Sequence, residues 1–317
     1  MSILITGIAG FIGFNFAEKY LKKYPKDKII GVDNLNNYYS TSLKLARLAR
    51  LKKKIKFYKI DISDKKALKK IFKNHKIHRI YNFAAQAGVR YSINHPSEYQ
   101  KSNIEGFYNI LEFSRLYKVK ELIYASSSSV YGENKNFPLK ETEKINPKNF
   151  YGLTKKINEQ MAEVYSNHYK IKTIGLRFFT VYGEWGRPDM SIFKIIDSSF
   201  KKKIFYLNNY GNHDRDFTYI DDVVNVLLKL KFNKNNHAIY NICSSKPINL
   251  KKLLKIIGKY ISLPRVINRK MQIADVIKTH GSNLKVSKLT KSKKYTDLDV
   301  GIKNVINWYK NFYYSRS

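Results

Sequence analysis

Three glycines spaced three residues apart follow the first apolar segment of this 317-residue chain. Residues 2–6 have the composition of a buried strand, and Gly7-Ile8-Ala9-Gly10-Phe11-Ile12-Gly13 leads from them directly into a helical pattern. Because glycine has no side chain, such a turn can bend sharply and bring backbone amides close to a phosphate at the helix N-terminus, where the dipole favours an anion. A purely structural turn would also explain the glycines, so the surrounding sequence has to decide.

The next strand supplies that context. It is predicted at residues 28–33 and ends in Asp33, 20 residues after Gly13. A carboxylate at this place can accept hydrogen bonds from the ribose hydroxyls of a dinucleotide, and it would repel a 2′-phosphate. The following Asn34-Leu35-Asn36-Asn37 contains no arginine that could bind one. The pattern therefore predicts an NAD site and favours NAD over NADP.

Strand-like and helical patterns alternate through the first half of the chain, which predicts an α/β fold with a Rossmann-type, doubly wound parallel sheet. Strands are predicted at residues 2–6, 28–33, 55–61, 79–84, 121–126 and 173–178. Helices are predicted at residues 11–23, 42–51, 65–75, 97–117 and 151–169.

The second half is less regular, with loops at residues 183–189 and 208–216 and amphipathic helices at residues 250–261 and 301–312. This pattern suits a smaller, discontinuous substrate-binding domain. We expect residues 1–177 and 217–245 to form the NAD-binding domain. Residues 178–216 and 246–317 are expected to form the substrate-binding domain.

Composition narrows the function classes. No apolar stretch reaches the roughly 20 residues that span a bilayer, and the N-terminus lacks a signal-peptide pattern, so we expect a cytoplasmic protein without a membrane partner. A single cysteine, Cys243, offers neither a disulfide nor a metal-binding pair, and no metal site is predicted.

The net charge of +36 comes from lysines spread over the whole chain, which favours a lysine-rich surface over a nucleic-acid groove. Such charge can still speed capture of an anionic substrate.

A tyrosine and a lysine stand four residues apart at Tyr151 and Lys155, on one face of a predicted helix. The phenol of an unperturbed tyrosine has a pKa of about 10, and it becomes a useful base only when a nearby positive charge stabilises the phenolate. A chain with 25 tyrosines contains such pairs by chance. The serine run 126–129, about 20 residues upstream at a predicted strand end, makes this copy a catalytic candidate, because ligands lie at the carboxyl ends of parallel strands.

Together these motifs resemble the extended short-chain dehydrogenase/reductase superfamily, in which Ser or Thr, Tyr and Lys form the catalytic set. The resemblance implies that Tyr151 is the general base and acid, that Lys155 supports it, and that Ser127 holds the sugar 4-hydroxyl, although a neighbouring serine of the run could take that part. The residues that the resemblance assigns to NAD are Gly7, Gly10, Phe11, Ile12, Gly13, Asp33, Asn34, Asp61, Ile62, Ala84, Ala85, Asn103, Tyr151, Lys155 and Phe178.

Within the superfamily, the chain is most similar to UDP-glucuronate 4-epimerases. The matching segments are residues 33–39, 84–92, 176–190 and 215–222. Dehydratases and decarboxylases of this superfamily carry an acidic residue near the serine turn, where this chain has Ser128 and Ser129. The resemblance therefore implies epimerisation of UDP-glucuronate to UDP-galacturonate through a 4-keto intermediate. An epimerase of a neutral or N-acetylated UDP-hexose, a decarboxylase or dehydratase, and a regulatory NAD-binding protein of the same fold are the alternatives.

Oxidising a uronate at its 4-position creates a β-keto acid, which loses carbon dioxide unless its carboxylate is held. By resemblance, Arg187 and Thr180 hold that carboxylate, and guanidinium suits such planar contacts. The other residues that the resemblance assigns to the UDP-sugar are Arg90, Ser127, Ser128, Arg215 and Asp275. Near Asp275 the chain departs from the family, with Ala274 where glycine is usual. The resemblance also implies a homodimer that packs through the helices at residues 97–117 and 151–169.

Overall fold

A computed structural model describes residues 1–232, 236–292 and 294–316. Its centre is a seven-stranded sheet in which all neighbouring pairs are parallel. The strands of the described residues are β1 (Ser2–Thr6), β2 (Lys28–Asp33), β3 (Lys56–Lys59), β4 (Arg79–Asn82), β5 (Glu121–Ser127), β6 (Lys172–Phe178), β7 (Thr180–Tyr182), β8 (Phe205–Asn208), β9 (Asp214–Tyr219), β10 (His237–Ile242), β11 (Pro247–Asn249) and β12 (Val266–Arg269).

The helices cover both faces of this sheet and form much of the second half. They are α1 (Phe11–Lys23), α2 (Thr41–Leu51), α3 (Lys65–Asn74), α4 (Tyr91–Asn94), α5 (Pro96–Tyr99), α6 (Gly106–Leu116), α7 (Phe150–Tyr169), α8 (Ser191–Phe200), α9 (Ile220–Lys229), α10 (Leu250–Gly258), α11 (Leu284–Thr290) and α12 (Leu298–Trp308).

The order of the central sheet is β3-β2-β1-β4-β5-β6-β10. The strand order reverses between β1 and β4, and this reversal opens a crevice at the carboxyl edge of the sheet, where ligands bind in folds of this kind. The predicted doubly wound parallel sheet is confirmed. Two small sheets lie outside it: β11-β9-β7, in which β9 pairs antiparallel with β11 and parallel with β7, and the parallel pair β12-β8.

Local chemistry explains where the elements begin and end. The Asp64 carboxylate accepts a hydrogen bond from the Ala67 amide at 3.0 Å and starts α3, whose Leu68, Ile71 and Phe72 are buried while its lysines face outward. The third strand ends at Lys59 and is shorter than the predicted 55–61. Beyond it, the Asp61 carboxylate accepts a hydrogen bond from the Ser63 amide at 2.9 Å and forms a turn.

One predicted helix is wrong. Residues 97–117 do not form one regular helix, because a π-helical turn at Gln100–Glu105 separates α5 from α6. In that turn the Asn103 carbonyl accepts a hydrogen bond from the side chain of Asn158 on α7 at 2.7 Å. A side chain that inserts into the backbone ladder in this way perturbs the helix, and sequence periodicity does not reveal it.

The apolar core extends across the predicted domain boundary. One cluster of buried residues includes Phe14 on α1, Phe193 on α8 and Ile257 on α10, while a second lies on the other face of the sheet between α3, α6 and α7. The division into two domains therefore stays a prediction. Among the described residues, no helix combines the length and the apolar character that a membrane crossing requires.

Candidate active site

A cavity of about 940 Å³ opens at the carboxyl edge of the central sheet. The ends of β1, β2, β4, β5 and β6 contribute to its wall, and loops from the second half of the chain close the opposite side. All of the predicted site residues except Asn103 line it. The tertiary structure thus brings segments from residue 7 to residue 275 into one site.

The glycine turn is held tightly against the neighbouring strand end. Gly7 has a φ of +66°, and a Cβ atom there would lie 2.6 Å from the backbone nitrogen of Ala84. At Gly13 a Cβ would lie 2.2 Å from the Gly7 carbonyl oxygen, so the helix could not pack so closely on the turn. In the described residues no side chain caps the first turn of α1, and that turn carries no acidic group. Its amides are therefore suited to a pyrophosphate.

Asp33 lies at the end of β2, as predicted, but its carboxylate also stabilises the turn. Its oxygens accept hydrogen bonds from the amides of Ala9 at 3.0 Å and Leu35 at 2.9 Å. Burial raises the pKa of the carboxyl group, while the Leu35 amide and the Lys44 ammonium oppose that rise. Lys44 also lines the cavity, so a positive charge stands near the predicted ribose acceptor.

Short polar contacts fix the part of the wall that is predicted to meet the adenosine. Asn34 donates to the Asp61 carboxylate at 2.9 Å, and Asp61 is fixed further by the backbone and hydroxyl of Ser63 at 2.9 and 2.8 Å. Although burial favours the neutral acid, these hydrogen bonds hold the pKa of Asp61 below its usual value. Ile62 and Ala84 complete this part of the wall.

Asn103 does not reach the cavity. Its amide oxygen accepts from the Gln86 amide at 2.8 Å, and its nitrogen donates to the Gln86 carbonyl and the Thr154 hydroxyl, both at 3.0 Å. All of its side-chain groups thus connect the strand-end loop to α7. Its side chain lies behind the wall in this structure, and the contact with NAD stays a prediction.

The structure distinguishes between the serines at the end of β5. Ser126 also borders the cavity, but its hydroxyl donates a hydrogen bond to the buried Glu159 carboxylate, which is paired with Arg177 at 2.8 Å. Ser127 faces the cavity, accepts from the Ser129 amide at 3.1 Å and hydrogen-bonds to Tyr151. Of the two, Ser127 is the one placed to act with the tyrosine.

Tyr151 and Lys155 are positioned by the start of α7. The Asn149 side chain caps this helix by accepting from the Gly152 amide at 2.8 Å, and Lys155 Nζ lies 5.9 Å from the centre of the Tyr151 ring. Burial raises the pKa of the Tyr151 phenol, and the Ser127 hydrogen bond and the Arg187 charge oppose it. Burial lowers the pKa of Lys155 to about 8, and its ammonium donates to the Ala125 carbonyl at 2.9 Å.

Arg187 enters the cavity with a carboxylate partner. Its Nε donates to Asp189 Oδ1 at 2.9 Å and its Nη2 to the other oxygen, to which the Tyr38 hydroxyl also donates at 3.0 Å. Burial opposes the guanidinium charge, but the Asp189 carboxylate outweighs it and raises the pKa of Arg187. One edge of the guanidinium is therefore occupied, while its charge still acts on Tyr151.

The far end of the cavity contains the other two predicted arginines. Arg90 makes a two-point contact with Asp275, with distances of 3.2 and 2.7 Å. Arg215 donates to the carbonyls of Asp214, Val276 and Ile277 at 2.8 to 3.1 Å, and burial lowers the pKa of its guanidinium to about 10. Asp275 thus joins Arg90 and Arg215 in one charged cluster.

Several wall residues had no predicted role. Asp189, Lys44 and His213 line the cavity, and the buried His213 has an Nε2 atom without a hydrogen-bond partner among the described residues. Asp189 could have been found, because an acid two residues after an arginine in a loop is a ready partner. Lys44 and His213 offered no such signal in a lysine-rich chain with seven histidines.

The sheet order, the glycine turn and the Ser-Tyr-Lys set in one cavity define a dinucleotide-dependent enzyme class. A family model described as "NAD dependent epimerase/dehydratase family" matches residues 3–243. The chain belongs to that family. The predicted superfamily, the fold and NAD as the cofactor are thereby confirmed.

Several relatives match nearly the whole chain and not only the part that the family model covers. Protein CapI of Staphylococcus aureus is 40% identical over 99% of each chain. UDP-glucuronate 4-epimerase 4 of Arabidopsis thaliana is 36% identical over 99% of this chain and 76% of its own. A crystal structure of UDP-glucuronic acid 4-epimerase from Bacillus cereus, in complex with UDP-glucuronic acid and NAD, superimposes with a TM-score of 0.90 at 28% identity, covering 99% and 100% of the two chains.

Proposed function

We propose that the protein catalyses the NAD-dependent 4-epimerisation of a UDP-linked uronic acid, interconverting UDP-glucuronate and UDP-galacturonate through a 4-keto intermediate. The observation that carries this proposal is that Arg187, Tyr151 and the glycine turn line one cavity, where the Arg187 charge opposes the rise that burial causes in the pKa of Tyr151. A base, a cofactor site and a cation for a carboxylate are then within reach of one sugar. Named relatives that act on UDP-glucuronate support the same reaction.

The first task is to move a proton at the sugar 4-hydroxyl. Tyr151 is the general base and then the acid, and Ser127 is hydrogen-bonded to it and aligns the hydroxyl. Gly7, Gly13 and Asp33 would hold NAD, and the close backbone packing at the glycine turn fits that cofactor. When bound, NAD supplies the hydride acceptor and donor for the 4-position.

The second task is to keep the carboxylate of the intermediate from leaving as carbon dioxide. Arg187 and Thr180 both line the cavity and are the residues that we assign to this group. A guanidinium is rigid and planar, so it can hold a carboxylate in one orientation. Ser128 and Ser129 stand where a dehydratase or decarboxylase would need an acid, and neither can supply that proton transfer.

The third task is to hold the nucleotide. Arg90, Arg215 and Asp275 form a charged cluster at the far end of the cavity, and we assign the two arginines to the diphosphate and Asp275 to the ribose. Because Arg90 is already paired with Asp275, a bound diphosphate would share or replace that partner. The +36 charge of the whole chain adds a general attraction for such an anion.

A neutral UDP-hexose is the second candidate substrate, and one contact favours it. Asp189 already accepts hydrogen bonds from two nitrogens of Arg187. Such a pair is also expected if Arg187 serves only to shape the loop. A uronate carboxylate would then have to bind the remaining edge of the guanidinium. The two substrates can be separated directly.

The test is to incubate the purified protein with UDP-glucuronate, UDP-glucose and UDP-N-acetylglucosamine separately and to follow the products by proton NMR. We expect UDP-galacturonate from the first and far slower turnover of the other two. Preferential turnover of a neutral sugar would replace the uronate assignment. Binding of NAD without turnover of any of the three would favour a regulatory protein of this fold.

We further infer a homodimer through the outer faces of α6 and α7. These helices leave apolar side chains exposed: Tyr108 and Leu116 on α6, and Leu153, Val164 and Tyr169 on α7. A second copy would cover these side chains in a face-to-face helix pair. Light scattering after size exclusion should give twice the chain mass, and Val164→Asp should shift it to the monomer. A monomeric wild-type protein would contradict this inference.

A further inference from the structure

Arg47 is a fully buried cation outside the cavity wall. It lies on α2 and has no exposed surface. Its Nη1 donates to the Ala9 carbonyl and the Tyr39 hydroxyl, both at 2.8 Å. Its Nη2 donates to the carbonyls of Trp185 at 2.5 Å and Gly186 at 3.2 Å. One guanidinium thus connects the glycine turn to a loop whose Trp185 lies 138 residues after Arg47.

The partners of Arg47 are unusual for a buried charge. Its hydrogen bonds in the described structure all end on carbonyl or hydroxyl oxygens, and none on a carboxylate. A buried guanidinium is costly unless its donors are satisfied, and four contacts to neutral oxygens meet only part of that need. Its Nε atom has no partner among the described residues. A methionine or leucine could fill the same volume without the cost of burying a charge. The contribution of the arginine is therefore its set of hydrogen bonds.

The loop that Arg47 holds is conformationally strained. Trp185 has a φ of +62°, the left-handed region, which is unfavourable for a residue with a bulky side chain. Arg47 binds the carbonyl of this residue, and the indole ring packs against Phe14 and Trp308 with centroid distances of 5.2 and 5.5 Å. The backbone conformation is therefore fixed from both sides. Arg187 follows two residues later and enters the cavity from this fixed point.

The same guanidinium also fixes the opposite wall. Ala9 accepts from Arg47 through its carbonyl and donates through its amide to Asp33 at 3.0 Å. Two successive hydrogen bonds through Ala9 thus link Arg47 to Asp33 on one side, and on the other side its partner Trp185 stands two residues before Arg187. No other connection of this kind between the glycine turn and residues 183–189 occurs among the hydrogen bonds of the described residues.

We propose that Arg47 is a positioning residue that sets the distance between the cofactor turn and the Arg187 loop, and thereby determines the selectivity for a uronate over a neutral sugar. This inference rests on the proposed function. The guanidinium does not touch either ligand. It acts by holding Trp185 in the strained conformation from which Arg187 reaches the sugar.

The experiment compares Arg47→Lys and Arg47→Met with the wild-type protein. A lysine keeps the charge, but a single ammonium cannot span the carbonyls of both segments, and a methionine keeps only the volume. Affinities for UDP-glucuronate, UDP-glucose and UDP are measured by calorimetry, and the UDP-pentose fraction per turnover by proton NMR. We expect the uronate preference to fall about tenfold or more in both variants, because small displacements of a positioned group have large effects. UDP affinity should change little, and the pentose fraction should rise.

Arg79→Met is the matched control. Arg79 is a partly buried arginine paired with Glu121 at 2.5 Å, but it lies at the amino end of β4, on the edge of the sheet away from the cavity. Its replacement should lower the melting temperature and leave the uronate preference unchanged. If Arg47→Met does not fold, as judged by circular dichroism and retained NAD, Arg47→Lys carries the test.

The outcomes separate the two proposals. A wild-type protein without uronate preference would overturn the proposed function. A wild-type preference that persists in folded Arg47→Lys, with only the melting temperature lowered, would leave that function intact and overturn the positioning role of Arg47.

Discussion

The proposed cofactor end and the proposed substrate end of the cavity are built in different ways. The cofactor end consists of strand ends and one helix N-terminus from the first 85 residues, and its polar groups are mostly backbone amides around two carboxylates, Asp33 and Asp61. The substrate end draws its cations from well-separated segments. Each of these cations already has an internal partner: Asp275 for Arg90, Asp189 for Arg187 and backbone carbonyls for Arg215.

This difference indicates how each end recognises its ligand. At the cofactor end, the shape of the backbone leaves room for a pyrophosphate, and little has to rearrange. At the substrate end, an anionic ligand has to share or displace the carboxylates that already pair with Arg90 and Arg187. Substitutions at the first end should therefore change cofactor affinity, while substitutions at the second should change the choice of sugar. The following predictions test that division, in order of decreasing effect.

Tyr151 stands where the two ends meet, so its loss should abolish turnover without affecting either binding site. Tyr151→Phe keeps the ring and removes the titrating hydroxyl, and the rate constant kcat should fall by about 10²- to 10⁴-fold. Bound NAD, released by denaturation and quantified by chromatography, should stay at the wild-type amount. Tyr165→Phe on the same helix removes a hydroxyl that faces Glu112 and should leave kcat unchanged. Activity near wild type in Tyr151→Phe would mean that another group is the base.

Arg187→Ala should separate the substrates. Removing a charge-assisted contact costs about 1.5 to 3 kcal/mol, so uronate affinity should fall by about one to two powers of ten. A neutral UDP-hexose should lose far less, and the variant should release more UDP-pentose. Calorimetry and proton NMR of the products measure both effects. Asp189→Asn is the companion variant, because it frees the occupied edge of the guanidinium and should strengthen uronate binding. If Arg187→Ala lost equal affinity for both sugars, Arg187 would be a structural residue and not a contact of the uronate carboxylate.

Asp33→Asn should affect the cofactor end alone. It removes the charged ribose acceptor and weakens the Ala9 contact, so NAD affinity should fall about tenfold. Discrimination against NADP should also decrease, since Lys44 remains beside the site. Calorimetry with NAD, NADP and UDP checks this, with UDP affinity as the internal control. A parallel loss of UDP affinity would contradict the independence of the two ends.

Lys155→Met should inactivate the enzyme and yet stabilise the ligand-free fold. Because the folded pKa of about 8 lies below the unfolded value of 10.5, the folded state binds fewer protons between these values, and wild-type stability rises with pH across that window. At pH 7 the buried charge is unfavourable by on the order of 1 to 3 kcal/mol, which methionine avoids.

The melting temperature of Lys155→Met should therefore be higher than that of the wild type at pH 7. Between pH 8 and 10.5 it should rise less than the wild-type melting temperature does. Lys156→Met, at the neighbouring and partly exposed lysine, should show neither change. A lower melting temperature for Lys155→Met at pH 7 would mean that the bond to Ala125 outweighs the burial of the charge.

The sequence predicts the cofactor end more completely than the substrate end. The bounds of β1, β2 and α1 agree with the prediction residue for residue, and Gly7, Gly13 and Asp33 occupy the predicted places. These features depend on contacts between neighbours in the chain, which spacing and residue type report directly. The π-helical turn at Gln100–Glu105 and the position of Asn103 behind the wall depend instead on Gln86 and Asn158, and no local pattern reveals them.

At the substrate end, the sequence by itself determined which residue types are present, and only the tertiary structure decided what they are bonded to. Arg187, Arg90 and Arg215 were predicted from loops and motifs, but the pairing of Arg90 with Asp275 joins residues 185 apart. The sequence places Arg47 within the helix predicted at residues 42–51, and only the tertiary structure shows its hydrogen bonds to Ala9 and Trp185. A guanidinium can satisfy its donors with any nearby oxygen, so its partner is set by packing between distant segments rather than by its neighbours in sequence.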